Sequence, residues 1–176
     1  MLFRSLDDVA ALLLAAIELL QCTWTAEVFG RARELAARLG DQFFDSSIGC
    51  FWATERSGPS LIWRPRWHAD EGLPSGSGMA ALGLLRWGYL TGDHAAVTSA
   101  TQAVTGVSSL LKADPLHHLT LLDALDECIK PTTIVILRGP EPVTLRWQQE
   151  LSRLYAPKRL VFAWRDNDLN LRSEEH

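Results

Sequence analysis

Cysteine is scarce in this sequence, and its few cysteines do not form a recognisable pattern. Cys22, Cys50 and Cys128 lie far apart, and no two of them have the CxxC spacing of a zinc or redox motif. Three cysteines in a chain of 176 residues do not predict a disulfide framework. We therefore expect reduced, partly buried thiols in a reducing compartment, and we predict neither a metal nor a cofactor.

An excess of positive charge is also missing. The chain has 17 Lys and Arg residues against 21 Asp and Glu residues, which gives a net charge of −4. Its basic residues form only short pairs such as Lys158-Arg159, whereas a surface that follows phosphates needs them clustered. The sequence predicts no nucleic-acid partner.

The hydrophobic runs are short as well. The apolar run at residues 9–17 ends at Glu18, too early to cross a bilayer. Asp7 and Asp8 stand where a signal peptide carries basic residues. We interpret this segment as a buried helix of a soluble, cytoplasmic protein with no membrane partner.

Apolar residues recur at helical spacing through most of the first 130 residues. They predict five helices, over residues 6–20, 26–44, 77–90, 93–112 and 115–129. The first helix is apolar almost all round, so it needs cover on most of its sides. A short link to the second helix predicts an antiparallel helical hairpin.

Two regions depart from this helical pattern. Glycine and proline are concentrated in residues 45–78, which predicts a long loop, with a small β-hairpin formed by the aromatic runs 50–53 and 61–63. In the last third, apolar runs at 133–137 and 159–164 flank an amphipathic segment. They predict a βαβ unit with parallel strands, the first of them buried on both faces.

Several segments resemble a known family in order along the chain. They read LDDVA at 6–10, QFFD at 42–45, RPR at 64–66, DEGLPSGSGMAA at 70–81, LLR at 84–86 and LTGD at 90–93. Together they resemble the C-terminal six-hairpin portion of the YyaL-like family, spermatogenesis-associated proteins that contain a thioredoxin domain. Three places differ from the family pattern: Glu71 replaces a glycine, Trp67 replaces an acidic residue, and Ser77-Gly78 replaces Asn-Ser.

The resemblance implies a mainly helical fold in which helical hairpins form an (α/α)6 toroid, similar to N-acylglucosamine 2-epimerases and to several glycosidase families. In the family a thioredoxin-like domain precedes this barrel. Five helices cannot close a ring of twelve, so we expect a partial toroid, from a truncated relative or one piece of a split protein. We predict a helical region at 1–130, a βαβ element at 131–166 and a disordered tail at 167–176.

The loop before the third helix and the helix start that follows it hold most of the candidate site residues. Asp70, Asp8 and His68 are the candidates for acid–base chemistry, and glycoside hydrolysis needs a second carboxylate, for which Asp7, Asp8 and Glu71 are available. The candidates for ligand binding are Arg64, Asp70, Ser75 and Ser77, because unpaired amides at a helix start bind anions and arginine binds carboxylates or phosphates.

Each of these residues also has a purely structural interpretation. Ser75 fits a helix cap, Asp8 complements a helix dipole, and Arg64 and Arg66 could hold the loop through Asp45 or Asp70. His117 and His118 are adjacent on a helix and point in different directions, so they do not predict a metal site.

Two functions follow as hypotheses. The first is a degenerate relative of the family that acts as an interaction or structural module. The reason is that a first helix that is apolar almost all round, together with an open ring of helices, leaves apolar surface to be covered. A homo-oligomer or a companion chain with the missing barrel half would cover it. The alternative is an epimerase- or glycosidase-like enzyme acting on a sugar-like small molecule at the Asp70/Ser75 loop.

Overall fold

The computed structural model describes residues 5–58 and 63–165, and within them the chain is mainly helical, as the periodicity predicts. The α-helices of this part are α1 (Leu6–Cys22), α2 (Ala26–Arg38), α3 (Gly76–Thr91), α4 (His94–Gly106), α5 (Ser108–Ala113), α6 (Leu119–Ile129) and α7 (Glu141–Ser152). The strands are β1 (Phe44–Asp45), β2 (Cys50–Phe51), β3 (Thr133–Gly139) and β4 (Arg159–Arg165).

Helices α1 and α2 pack as a helical hairpin, and each begins at a side-chain cap. The Ser5 hydroxyl accepts a hydrogen bond from the Asp8 amide at 3.2 Å, and the Thr25 hydroxyl accepts one from the Val28 amide at 3.2 Å. The second helix is shorter than predicted, because α2 gives way to a π-helical turn at Leu39–Phe43 that leads directly into β1.

Helix α3 lies at the centre of the helical region and contacts α1, α4 and α6. Two glycines permit close approaches of α6 and α4. A Cβ at Gly78 would lie 2.8 Å from Thr120 in α6, and a Cβ at Gly88 would lie 2.4 Å from Val97 in α4. The absence of a side chain at these positions therefore lets three helices surround α3.

The predicted fourth and fifth helices are each divided in the structure. The fourth breaks at Val107 into α4 and α5, and the fifth begins with a 3₁₀ turn at Pro115–His117 before α6. The break follows Gly106, where a Cβ would lie 2.8 Å from the carbonyl oxygen of Gly49. Close packing of the loop on this end of α4 thus accompanies the break in the helix.

The loop contains a short antiparallel pair, but its strands are not the two that the aromatic runs predict. Strand β2 pairs with β1, in the register Phe44 with Phe51 and Asp45 with Cys50. Residues 61–62, which form most of the predicted second strand, lie outside the described residues. One partner of β2 is the segment that directly follows the π-helical turn. The pairing of β2 with the second aromatic run stays a prediction.

The βαβ unit is present, with β3 and β4 parallel and α7 between them. The prediction that the first strand is buried on both faces is wrong, since Ile136 is 49 % exposed and the rest of β3 is only partly covered or exposed. The physical reason is that α1 contacts the sheet mainly through β4, so β3 lies farther from the helical core.

Strand β4 joins the βαβ unit to the helices. Leu160 and Phe162 are buried in the same core as α1 and α3, and Phe162 meets the Trp24 ring edge-on at 5.6 Å. The Val161 amide donates to Oε1 of Gln21 at 3.0 Å. The division of the chain at residue 130 stays a prediction, and the tail at 167–176 lies outside the described residues.

Candidate functional site

Asp70 lies between the starts of two helices, and both of its carboxylate oxygens accept hydrogen bonds from backbone amides. Oδ1 accepts from the Ser75 amide at 2.7 Å, and Oδ2 accepts from the Thr120 amide at 2.9 Å. Burial by itself would raise the pKa of Asp70, but these amide hydrogen bonds outweigh it and hold the pKa below the usual value. The loop is thereby fixed to the starts of α3 and α6 by an ionised carboxylate.

Ser75 and Ser77 are buried at the start of α3, and their hydroxyls are used within the chain. Ser75 caps the helix, since its hydroxyl accepts a hydrogen bond from the Gly78 amide at 3.3 Å. The Ser77 hydroxyl donates to the carbonyl oxygen of Trp67 at 2.9 Å. These hydrogen bonds hold the loop against the start of α3. This helix start is the one that the sequence analysis considers as an anion site.

Asp7, one of the three carboxyl groups that the sequence offered as a partner for Asp70, reaches the same helix start from α1. Burial and then the neighbouring charge of Asp8 raise its pKa, while a hydrogen bond from the Gly76 amide opposes the rise. A Cβ at position 76 would lie 2.0 Å from Oδ1 of Asp7, so only glycine leaves room for this carboxyl group. The start of α3 is therefore flanked by two carboxyl groups of its own chain, Asp7 and Asp70.

Asp8, the second predicted acid–base candidate, takes part in the start of α1. Its Oδ2 accepts a hydrogen bond from the Ser5 hydroxyl at 2.6 Å, while its own amide donates to the same hydroxyl. The carboxylate is exposed and lies in the first turn, where negative charge complements the helix dipole. It is Asp7, rather than Asp8, that contacts Gly76 at the start of α3.

Arg64 and Arg66 both lie against Trp52. Their guanidinium carbons are 5.0 Å and 5.2 Å from the centroid of the Trp52 ring, close enough for cation–π contact. The Trp52 indole donates to Oδ2 of Asp45 at 3.1 Å, and Arg64 also donates to the carbonyl oxygen of Thr54. The arginines are thus linked to Asp45 through an aromatic ring.

His68 is largely buried on the same loop. Burial, then the positive charge of Arg66 and then His118, lower the pKa of His68, which favours the neutral imidazole. Its Nδ1 has no hydrogen-bond partner among the described residues. His118, which is also buried, has Nδ1 at 2.7 Å from the carbonyl oxygen of Asp114.

A different kind of surface lies on the outer face of α1. Leu12 is 37 % exposed and Leu19 is 46 % exposed, although the opposite face of the helix is fully buried. A groove of about 570 Å³ runs between this face and α2. Its lining residues are Leu12, Ala15, Ala16, Leu19, Glu27, Val28, Arg31, Glu34, Leu35 and Arg38. A second groove, on the side of α7 and β4, shares Ala15 and Leu19.

Within residues 5–58 and 63–165, no three His, Cys, Asp or Glu side chains are grouped so that they could hold a metal ion. In the same residues, no helix combines the length and apolar character that a membrane span requires.

Comparison with known proteins leaves the family open. A scan against protein-family models found no match to this chain, and neither did a search of the curated proteins. The resemblance to the YyaL-like family therefore stays a prediction.

Proposed function

We propose that this chain is an interaction or structural module, a truncated or degenerate relative of the YyaL-like family whose helical hairpins form part of an (α/α) toroid. The single observation that supports the proposal most is the open outer face of α1, where Leu12 and Leu19 remain partly exposed beside an apolar groove. Contiguous apolar surface of this kind marks association sites in proteins.

The free energy of association favours a partner that enters the groove and also covers the exposed Leu12 and Leu19 side chains. Burying a leucine fully contributes about 1.5–3 kcal/mol, so covering the exposed parts of Leu12 and Leu19 contributes about 2 kcal/mol together. That amount alone does not offset the entropy lost on association. Contacts with Val28 and Leu35 in the groove must supply the remainder.

The proposal is tested by measuring mass and apolar-dye binding on the same sample. We expect either a mass by light scattering above the 19.6 kDa of one chain, or a single chain that binds an apolar fluorescent dye. Substituting both Leu12→Gln and Leu19→Gln should lower whichever signal is observed. A monomer that binds no dye contradicts the proposal.

A second candidate function is sugar chemistry at the start of α3, and one observation favours it. The pKa of Asp7 is raised and that of Asp70 is lowered, although both carboxyl groups flank the same helix start. Carboxyl pairs whose environments move their pKa values apart are suited to separate acid and base roles. On this hypothesis the protonated Asp7 acts as the general acid, and the ionised Asp70 acts as the base.

Melting curves followed by tryptophan fluorescence test the second candidate. Neutral and N-acylated sugars are added one at a time, and a binding sugar should raise the melting temperature of the unmodified chain. Asp70→Asn should abolish the rise, and Asp7→Asn should keep binding while removing turnover. If no sugar shifts the melting temperature, this candidate is wrong.

A further inference from the structure

Three arginines come together in the loop that precedes α3. The guanidinium carbons of Arg64 and Arg66 lie 5.0 Å and 5.2 Å from the centroid of the same Trp52 ring. Burial and then the positive charge of Arg56 lower the pKa of Arg64, so the third arginine is near enough to act on the other two. Arg56, Arg64 and Arg66 are called the arginine cluster below.

The chain supplies little negative charge to the arginine cluster. In the part of the chain that the structure describes, no carboxylate forms an ion pair with any of the three arginines. Asp45 acts on the cluster electrostatically, but its oxygens accept hydrogen bonds from Ser47 and from the Trp52 indole. Glu55 is paired with Arg38 at 2.5 Å. The cluster and Asp45 together therefore carry an excess of two positive charges.

The arginine cluster also has N–H donors that the described chain does not use. Arg56 and Arg64 each donate one hydrogen bond to a backbone carbonyl oxygen, and Arg66 approaches only the sulfur of Cys50, at 3.7 Å. A guanidinium group has five N–H donors, so most of the donors of the cluster remain. Arg56 and Arg66 are exposed and Arg64 is half-buried, so an anion can reach them from solvent. Because Nε of Arg64 is buried, the anion meets this residue through its terminal nitrogens.

We propose that the arginine cluster binds the phosphate monoester group of a small-molecule ligand. Such a group carries a charge of about −1.5 to −2 at pH 7, which matches the excess of two positive charges. Its three terminal oxygens are strong acceptors, so each can accept from one guanidinium group. A single carboxylate has half that charge and offers two oxygens to three arginines. None of the three arginines lines the groove between α1 and α2, so the inference goes beyond the proposed function.

The Trp52 ring holds two of the guanidinium groups in place before an anion arrives. Guanidinium groups stack on aromatic faces, and the indole N–H of Trp52 donates to Oδ2 of Asp45 at 3.1 Å, which fixes the ring. The Ala53 amide donates to the carbonyl oxygen of Pro65 at 2.9 Å, so the segment with the two stacked arginines is joined to the segment with Trp52. Donors held in this way lose less side-chain entropy on binding than free arginines do.

Isothermal titration calorimetry of the whole chain with glycerol phosphate tests the inference directly. Glycerol phosphate is a small phosphate monoester without a ring or an apolar group, so its binding reports on the phosphate alone. We expect saturable binding at a single site, with a dissociation constant of about 1 mM or lower. Acetate at the same ionic strength should give no saturable heat, because it carries one charge and two oxygens.

Arg66→Gln is the main variant, because Arg66 is exposed and its only hydrogen bond within the described residues is the long one to sulfur. We expect this variant to bind glycerol phosphate about tenfold more weakly. Arg66→Lys keeps the charge but not the planar fork of donors, so its affinity should be intermediate. The matched control is Arg146→Gln, which removes the same charge at an exposed position on α7 and should bind like the original.

Urea unfolding separates phosphate binding from a role in holding the loop. Without an anion the clustered charges repel one another, so Arg66→Gln should be at least as stable as the original in phosphate-free buffer. Glycerol phosphate should stabilise the original chain and Arg146→Gln more than Arg66→Gln. If Arg66→Gln loses stability but binds glycerol phosphate as tightly as the original, the cluster only holds the loop and the inference is overturned. An unmodified chain that shows no saturable binding, or that binds acetate equally well, also overturns it.

Discussion

Helix α3 and helix α1 are both rich in apolar residues, but the chain covers the first far more completely. Helix α3 is contacted by α1, α4 and α6, and Leu84 and Leu85 are fully buried on it. Helix α1 buries one side against α3 and leaves Leu12 and Leu19 partly open. The number of neighbouring helices, more than composition, decides whether an apolar helix is core or surface.

The largest effect is expected at a close backbone contact between α3 and α6. Gly78→Ala adds a Cβ 2.8 Å from Thr120 in α6, including its backbone carbon, so we expect a loss of about 2–3 kcal/mol in the free energy of unfolding. Urea unfolding followed by circular dichroism measures it.

A glycine of the outer hairpin provides the control for that substitution. Nothing lies within 4 Å of a Cβ built on Gly30 of α2. Gly30→Ala should therefore stabilise the protein by about 0.5–1 kcal/mol, because alanine loses less backbone entropy in a helix. Equal effects of the two substitutions would show that α3 is not tightly surrounded.

The next effect concerns the carboxylate that fixes the start of α3. Asp70→Asn weakens two hydrogen bonds from amides, and we expect it to cost about 1 kcal/mol at pH 7. The folded pKa of Asp70 is lowered, so its stabilisation is present above the unfolded pKa and is lost as the pH falls through the folded pKa. Urea unfolding at a series of pH values should show the cost shrinking in acid.

Asp7→Asn is the matched control, because the pKa of Asp7 is shifted in the opposite direction. An acid with a raised folded pKa opposes folding when it is ionised, and asparagine resembles its protonated form. The variant should be no less stable than the original at pH 7, and its advantage should disappear as the pH falls. A cost of Asp70→Asn that stays constant with pH contradicts the assigned role of that residue.

A smaller pH effect is expected from His68. Its folded pKa is lowered mainly by burial, so its contribution to stability is present above the unfolded pKa and is lost as the pH falls through the folded value. Replacing His68→Gln should reduce the loss of stability below about pH 6.5. The control is His94→Gln, an exposed position at the start of α4. If both variants show the same acid dependence, His68 is not held neutral.

The smallest change in folding stability is expected on the open face of α1. Leu12→Gln and Leu19→Gln should each alter the free energy of unfolding of the single chain by about 0.5 kcal/mol or less, since both side chains are partly in solvent already. A change of several kcal/mol, measured in urea at low protein concentration, would mean that this face belongs to the core.

Local patterns predicted most of the helices and the βαβ unit. Caps such as Ser5 and Thr25 lie beside the helices that they begin, so the sequence shows both at once. The pairing of β2 with β1 and the exposure of Ile136 depend on which segments come together in space. No local pattern carries that information, and the sequence accordingly did not predict that β1 pairs with β2.

The candidate site was predictable only where its residues are close together in the sequence. Asp70, Ser75 and Ser77 are close in sequence, and the structure keeps them together at the start of α3. Thr120 comes from α6 and Asp7 from α1, so sequence spacing could neither identify Thr120 nor select Asp7 over Asp8 and Glu71. The one available signal for Asp7 was Gly76, since a glycine inside the first turn of a helix leaves room for another group.

The most direct test of the open face is the reactivity of a thiol placed at its centre. Ala15→Cys is made together with Cys22→Ser, and Ala95→Cys, an exposed position on α4, is the control. The thiol at position 15 should be alkylated in dilute protein about as rapidly as the control thiol at position 95. Slow alkylation at position 15 at every concentration would mean that the chain covers this face by itself, and would contradict the account.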